Sequence, residues 1–217
     1  MTQENQTMKV LAINGSPNEN GNTSFAIRVV LQELEKEHIE TDILHIGNKN
    51  VHGCIACGAC LSKGDLRCVI DDGMNDWIEK MVEAVGIILG SPVYFSGVNG
   101  TMKSFLDRAF FVAAVSGRPF RHKVGAAVVA VRRSGGVATF EQLNNYLCFS
   151  EMLIPGSNYW NVIHGMVPGE APGDEEGVQT MRVLGQNMAW LLKLVEHGKG
   201  HIQPPPLENK VLTNFIR

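Results

Sequence analysis

The sequence predicts an α/β domain built as a three-layer, doubly wound parallel sheet of five strands. Three observations carry that expectation. Short apolar runs rich in β-branched residues alternate with longer amphipathic stretches. Each run leads into a helical stretch, the order that gives parallel strands covered on both faces. A chain of 217 residues with 44% hydrophobic content suits one sizeable core.

The elements follow in order. "KVLAING" (9–15) is the first strand, and a helix is expected over about 23–37. "TDILHI" (41–46) is the second strand, with a helix over about 74–84 after a long intervening loop. "VGIILGSPVY" (85–94) precedes a helix at 100–115, and "VGAAVVAV" (124–131) precedes one at 139–152. "YWNVIHGM" (159–166) is the fifth strand, followed by a helix over about 174–197. In this last helix Val178, Met181, Leu184, Met188, Leu191 and Val195 recur every three or four residues, which sets them along one face. The domain is expected over 1–198. Residues 199–217, "KGHIQPPPLENKVLTNFIR" with its Pro-rich middle, are expected to form an extended tail available to a partner subunit.

Charge and targeting signals narrow the function classes. Nineteen Lys and Arg against 22 Asp and Glu leave a net charge of −3, which gives no footprint for nucleic acid or an anionic membrane. The start "MTQENQT" lacks the basic and apolar regions of a signal peptide, and no uninterrupted apolar run is long enough to span a bilayer. A soluble, cytoplasmic protein is the expectation. Five cysteines, four of them clustered, do not form the even, dispersed pattern of a secreted disulfide scaffold.

In a doubly wound sheet, ligands sit beyond the carboxyl ends of the strands, so the loops there hold the informative residues. "NGSPNENGNTS" joins the first strand to the first helix, and Asn22, Thr23 and Ser24 bring hydroxyls and free N–H groups to a helix start, a site for a phosphate dianion. No Lys precedes Thr23 or Ser24 as a Walker loop requires, and no G-x-G-x-x-G turn is present. Asp42 lies about 20 residues beyond Gly21, but at the beginning of its strand rather than the end, so it does not read as a ribose-binding acid. "SPVYFSG" supplies apolar and aromatic surface for a flat ring, with Tyr94 and Phe95 as its side chains; the alternative is that they are ordinary core aromatics. "RRSGG" places Arg132, Arg133, Ser134, Gly135 and Gly136 after the fourth strand, where paired glycines admit a ligand close to the backbone. Lys103 and Arg108 read as surface or helix-packing charges, Cys148 as a buried packing residue, and His122 and His164 as structural or solvated. No Ser-His-Asp, G-x-S-x-G or H-E-x-x-H pattern is present.

Taken in series, "GSPNENGNTS" after the first strand, the Cys-rich loop after the second and "GSPVYFSGVNGTMKSFLDR" after the third resemble the NADPH-dependent FMN reductase and iron–sulfur flavoprotein group of flavodoxin-like proteins, over roughly residues 9–166. The resemblance implies strand order 2-1-3-4-5. It implies that Ser16, Asn18, Asn22, Thr23 and Ser24 surround the FMN phosphate, while Pro92, Val93, Tyr94, Phe95, Ser96 and Gly97 pass along the ribityl chain and ring. Arg133, Ser134, Gly135 and Gly136 would border the flavin or the phosphates of NAD(P)H. It also implies that flavin N5 receives the hydride, so that no protein acid or base is needed, and that the protein is a homodimer or homotetramer.

"VHGCIACGACLSKGDLRCVIDDGM" (51–74) sets Cys54, Cys57, Cys60 and Cys68 in a C-x2-C-x2-C-x7-C pattern. Three thiolates at intervals of three can converge on one cluster and a fourth can complete four-cysteine ligation; structural zinc more often draws on two separated C-x2-C knuckles. The spacing resembles that of the iron–sulfur flavoproteins, which implies a [4Fe–4S] cluster, and the loop is expected to bring it to the same sheet edge as the flavin. A cluster-free loop beside the flavin is the competing reading, with zinc or a redox disulfide behind both. Three functions follow: an NAD(P)H-dependent FMN oxidoreductase passing electrons to a quinone, flavin, nitroaromatic or redox protein; a non-catalytic electron carrier; or a flavin-binding regulatory module.

Overall fold

The computed structural model describes residues 8–213 and 215–216, so the polar start "MTQENQT" (1–7) lies outside the described residues. Apolar runs that alternate with helices produce a parallel sheet here because its three central strands are sealed on both faces. β1 (Lys9–Asn14) and β5 (Val124–Val131) are buried almost throughout. β3 (Gly86–Tyr94), between them in space, is buried from Gly86 to Ser91. β2 (Glu40–His45) is half exposed at one edge, and the other edge is β6 (Val162–His164).

The order β2-β1-β3-β5-β6 is parallel throughout, and a two-residue strand, β4 (Gly97–Val98), pairs antiparallel with the end of β3. This is the expected flavodoxin-like order with one strand added. Helices α1 (Asn22–Lys36) and α6 (Glu175–Gly198) cover one face around Ile27, Val30, Met181 and Leu184. On the opposite face α3 (Met74–Glu83), α4 (Gly100–Val115) and α5 (Gly136–Phe149) enclose Ile78, Phe105 and Leu143. Two apolar layers on one sheet bury both faces without a second sheet.

Several boundaries move for local reasons. β6 is shorter than the expected 159–166 because Tyr159 and Trp160 pack edge to face, ring centroids 4.3 Å apart, and turn outward, half exposed. α5 starts at Gly136 rather than 139, since Gly135 takes a left-handed φ of 87° and its carbonyl accepts from the Thr139 hydroxyl at 2.9 Å. A short helix, α2 (Ala59–Lys63), stands in the cysteine loop between left-handed Gly58 and Gly64; five residues are too few for a hydrophobic period to announce it. Cys148 is exposed rather than buried, because Leu143 and Leu147 take the inner face of α5 and the next residue turns about 100° away. Beyond Gly198 the described residues form no helix or strand. It is held where Arg121 donates to the carbonyls of Pro205 (2.9 Å) and Pro206 (3.3 Å). Among the described residues, no helix is long and apolar enough to cross a membrane.

Candidate functional site

Strand order reverses between β1 and β3, and the loops leaving their carboxyl ends are locked together there. The Asn99 amide donates to the Gly15 carbonyl at 2.7 Å, the Ser91 hydroxyl donates to the Asn99 side-chain oxygen at 3.2 Å, and the Gly15 N–H donates to the Gly90 carbonyl at 2.8 Å. His45 Nε2 meets the Ser16 carbonyl at 2.7 Å, tying in the loop after β2. A Cβ at Gly47 would lie 1.9 Å from the Ser16 oxygen, so only glycine permits this approach.

Within that frame the first loop forms a cradle. Ser16 Oγ accepts from the Asn18 N–H at 3.2 Å, which curls the loop over the start of α1. The N-cap position is Gly21, and no side chain caps the helix. The first-turn N–H groups therefore face outward with their positive partial charge. Thr23 and Ser24 are buried at this end, and the Ser24 hydroxyl has no hydrogen-bond partner among the described residues. An uncapped helix start with an orphaned hydroxyl fits a phosphate dianion in shape and chemistry. Asn22 takes a different part: its amide donates to the Val167 carbonyl at 3.0 Å and its oxygen accepts from the Ala171 N–H at 3.2 Å, so the side chain holds the loop after β6.

A cavity of about 230 Å³ opens from this cradle, lined by Ser16, Asn18, Asn22 and Thr23 on one side and Pro92, Val93 and Tyr94 on the other. Tyr94 is 49% exposed and Phe95 more so, which excludes the reading of both as core aromatics. Phe95 and Ser96 both adopt left-handed φ, 49° and 59°, between the paired residues Tyr94 and Gly97, making a two-residue hairpin that holds Phe95 at its tip. Gly135 packs against that hairpin so closely that a Cβ would sit 2.7 Å from Ser96 Cα. Of the fourth-strand loop, Arg132 lines the cavity; Arg133, Ser134, Gly135 and Gly136 do not. The fourth wall, Gly165, Met166 and Pro168, is absent from the sequence reading, although its position after the last strand of the same sheet edge marks it. Glu170 supports it, its carboxylate accepting from the N–H groups of Met166 (2.6 Å) and Val167 (3.1 Å).

The four cysteines are elsewhere. Cys54, Cys57, Cys60 and Cys68 line one small apolar cavity of about 30 Å³ together with Ile70, Arg108, Phe111 and Val112. Arg108 to Val112 lie eight to twelve residues into α4, roughly 12–18 Å down the helix from its start beside the hairpin at about 1.5 Å per residue. The expectation that the loop sits at the flavin edge is therefore corrected: it folds along the flank of α4, and the two cavities share no lining residue. Ala56, Gly58 and Leu66 take left-handed φ where the loop bends, and all four cysteines line the one cavity. Burial pushes the Cys60 thiol up, with Cys57 and Cys68 adding to it. No group of three or more possible ligands among the described residues is gathered closely enough to hold a metal ion. The donor set nevertheless fits an iron–sulfur cluster: four thiols on one apolar cavity, with no competing carboxylate in its lining.

The floor of this cavity is built by Arg108, a residue expected to be a surface or helix-packing charge and instead 1% exposed. It pairs with Asp72 through both nitrogens, at 2.6 and 3.0 Å, and donates to the carbonyls of His52 (3.0 Å) and Ile70 (3.1 Å) and to Cys68 Sγ at 3.2 Å. Burial pushes the Asp72 carboxyl up, but hydrogen bonds from Arg108 and the His52 N–H outweigh it and hold the group below its ordinary range. Lys103 is the surface charge expected, bound to Asp107 at 2.6 Å.

The NADPH-dependent FMN reductase family model matches residues 8–166. The chain belongs to that family. An iron–sulfur flavoprotein of Methanocaldococcus jannaschii is 37% identical over 196 residues, covering 87% of this chain and 100% of the relative. Another, from Methanosarcina thermophila, is 31% identical over 194 residues, covering 88% and 99%. Among solved structures, RosB with bound 8-demethyl-8-formylriboflavin-5'-phosphate aligns with a TM-score of 0.72 at 16% identity, covering 97% of this chain and 94% of RosB. The NAD(P)H:quinone oxidoreductase of Methanothermobacter marburgensis aligns with a TM-score of 0.62 at 14% identity, covering 84% and 96%. Membership places the chain in a family of FMN-dependent oxidoreductases.

Proposed function

We propose that the protein takes a hydride from NADH or NADPH onto FMN and passes electrons to a small acceptor, a quinone, free flavin or nitroaromatic, or to a redox protein. The observation that carries this reading is the uncapped start of α1, where Thr23 lines a cavity walled by Pro92, Val93 and Tyr94 and the adjacent Ser24 hydroxyl is buried without a partner among the described residues. Thr23, Ser24 and the first-turn N–H groups would hold the phosphate, with Ser16 and Asn18 shaping the rim. The 92–97 hairpin would lie along the ring, leaving one ring face open for the nicotinamide. Arg132 would stand near the negative charge that develops on reduction. FMN supplies the capacity to accept a hydride and release electrons singly.

Cys54, Cys57, Cys60 and Cys68 would hold a [4Fe–4S] cluster, a one-electron centre. The iron–sulfur flavoprotein names of the two relatives support this assignment, as does the shared cavity of the four thiols. We further assign the protein as a homodimer or homotetramer.

Anaerobic NAD(P)H oxidation by the FMN-loaded chain in the presence of a quinone tests the function. Multiple turnovers are expected. Reduction of the flavin by dithionite but not by either nicotinamide would replace the enzyme with an electron carrier, the reading that a four-cysteine centre beside a flavin domain also supports.

A further inference from the structure

We propose that Arg108 and Asp72 form a charge clasp that positions Cys68 as the preset fourth ligand of the cysteine loop and sets the reduction potential of the cluster held there. The inference rests on the assignment of a cluster to Cys54, Cys57, Cys60 and Cys68.

Cys68 differs from the other three cysteines in how it is held. Its N–H donates to the Asn75 side-chain oxygen at 2.7 Å and its carbonyl accepts from the Asn75 amide at 3.1 Å, so α3 fixes its backbone from both sides. Its sulfur takes the Arg108 Nη2 donor at 3.2 Å. Cys54 and Cys57 are exposed, and Cys60 stands on the short α2. The loop thus has one anchored sulfur and a C-x2-C-x2-C arm that folds over it.

Arg108 is an unusual choice for the floor of an apolar cavity. A buried guanidinium is costly unless its donors are met. Here the two terminal nitrogens meet the Asp72 carboxylate, the carbonyls of His52 and Ile70 and the Cys68 sulfur, which are the two ends of the loop and its last ligand, while Nε has no hydrogen-bond partner among the described residues. His52 precedes Cys54 and Ile70 follows Cys68, so a single side chain on α4 closes the 52–72 excursion. Asp72 also accepts from the His52 N–H at 3.1 Å, which completes the ring. Lysine has no planar fork and could not make this set.

The same geometry has an electrostatic consequence. A cluster becomes more negative on reduction, so an N–H donor and positive charge on one of its sulfurs favour the reduced form and raise the potential. Asp72 opposes that effect in part. Removing Arg108 should therefore lower the potential, and neutralising Asp72 should raise it. A residue that served only to fold the loop would not give shifts of opposite sign.

The test compares anaerobically reconstituted wild type with Arg108→Gln, Arg108→Lys and Asp72→Asn. Iron, sulfide and FMN are counted per chain, cluster potentials come from dithionite titration, and amide hydrogen exchange of residues 52–72 is followed in cluster-free protein. The expected result is faster exchange across the loop in R108Q and R108K with FMN uptake intact. The R108Q potential should fall by roughly tenfold in the reduction equilibrium, about 59 mV for one electron. That of D72N should rise, and that of R108K should lie nearer wild type than that of R108Q. Loss of the cluster from R108Q with FMN retained also supports the clasp, and D72N then carries the potential measurement. Wild type that binds no iron overturns the cluster assignment and the clasp with it. Wild type with a full cluster, but R108Q and D72N with unchanged potentials or shifts of the same sign, overturns the clasp alone.

Discussion

Ser24 and Lys123 are two side chains whose surroundings are unsatisfying in opposite ways, and each makes a distinct prediction. The Ser24 hydroxyl is buried without a partner beside uncapped N–H groups. A buried hydroxyl of this kind is costly until a ligand engages it. Replacing Thr23 and Ser24 together by Ala should weaken FMN binding by about 1.5–3 kcal/mol for each charged hydrogen bond lost, measured by flavin fluorescence on titration. Lys123, in contrast, is a base placed where its charge is poorly solvated. Burial, with some repulsion from Lys199, lowers its pKa to about 8, although its ammonium donates to the Val82 carbonyl at 2.7 Å and to that of Ala84 at the end of α3. Between pH 8 and the unfolded value of 10.5 the unfolded chain holds this proton and the folded chain does not. Stability from this group should therefore rise with pH across that window and be flat below it. Denaturant midpoints of wild type and Lys123→Met, compared through the window, should diverge in favour of wild type as pH increases. A constant gap between them would refute the assignment.

Elements were more legible than the contacts between them. The five main strands and five main helices follow from apolar period alone, because a strand sealed on both faces must be apolar at every position and a covering helix must be apolar along one stripe. The start of α1 was legible for a similar reason, because Asn, Thr and Ser favour helix starts, although the cap position is Gly21 and Asn22 holds the loop after β6 instead. Arg108 was not, since nothing local distinguishes an Arg that faces solvent from one that closes a loop 36 residues earlier in the chain. Nor was the placement of the cysteine cavity along α4, which depends on left-handed turns at Ala56 and Leu66 that their residue types do not advertise. Gly135 lies between these cases. Its pairing with Gly136 suggested a close backbone approach, and the partner is the hairpin at Ser96 rather than a ligand. Gly135→Ala must strain a φ of 87° and push Cβ against Ser96 Cα. It should destabilise the fold by more than about 1 kcal/mol and weaken FMN binding by displacing Tyr94 and Phe95. Wild-type FMN affinity in G135A would show that the hairpin does not shape the flavin site.

At the scale of the molecule, the segment after Gly198 turns the fold into a question of assembly. Between this segment and the ends of α4 and α5 lies a groove of about 820 Å³, with Leu61, Phe111 and Phe149 on the body and Val211 and Leu212 on the segment. All five are exposed in a single chain. Apolar side chains on both sides of an open groove leave surface that a second copy could remove from water, at about 25 cal/mol per Å² of apolar area. The segment is attached to the body near Pro205 and Pro206, through the Arg121 guanidinium, which also pairs with Glu151 at 2.6 Å. Beyond those prolines Lys210 stands over the Phe149 ring, its Nζ 5.0 Å from the centroid, a contact that the same segment could make with a neighbour's groove, the usual geometry of exchanged arms. Light scattering at micromolar concentration should therefore give at least a dimer for the full chain and a smaller mass for a chain ending at Gly198. FMN uptake should be unchanged by the truncation, because no described residue after 198 lines the cavity at the start of α1. A truncated chain with the mass of the full assembly would assign the subunit contact to the domain itself, and a monomeric full chain would remove the assembly altogether.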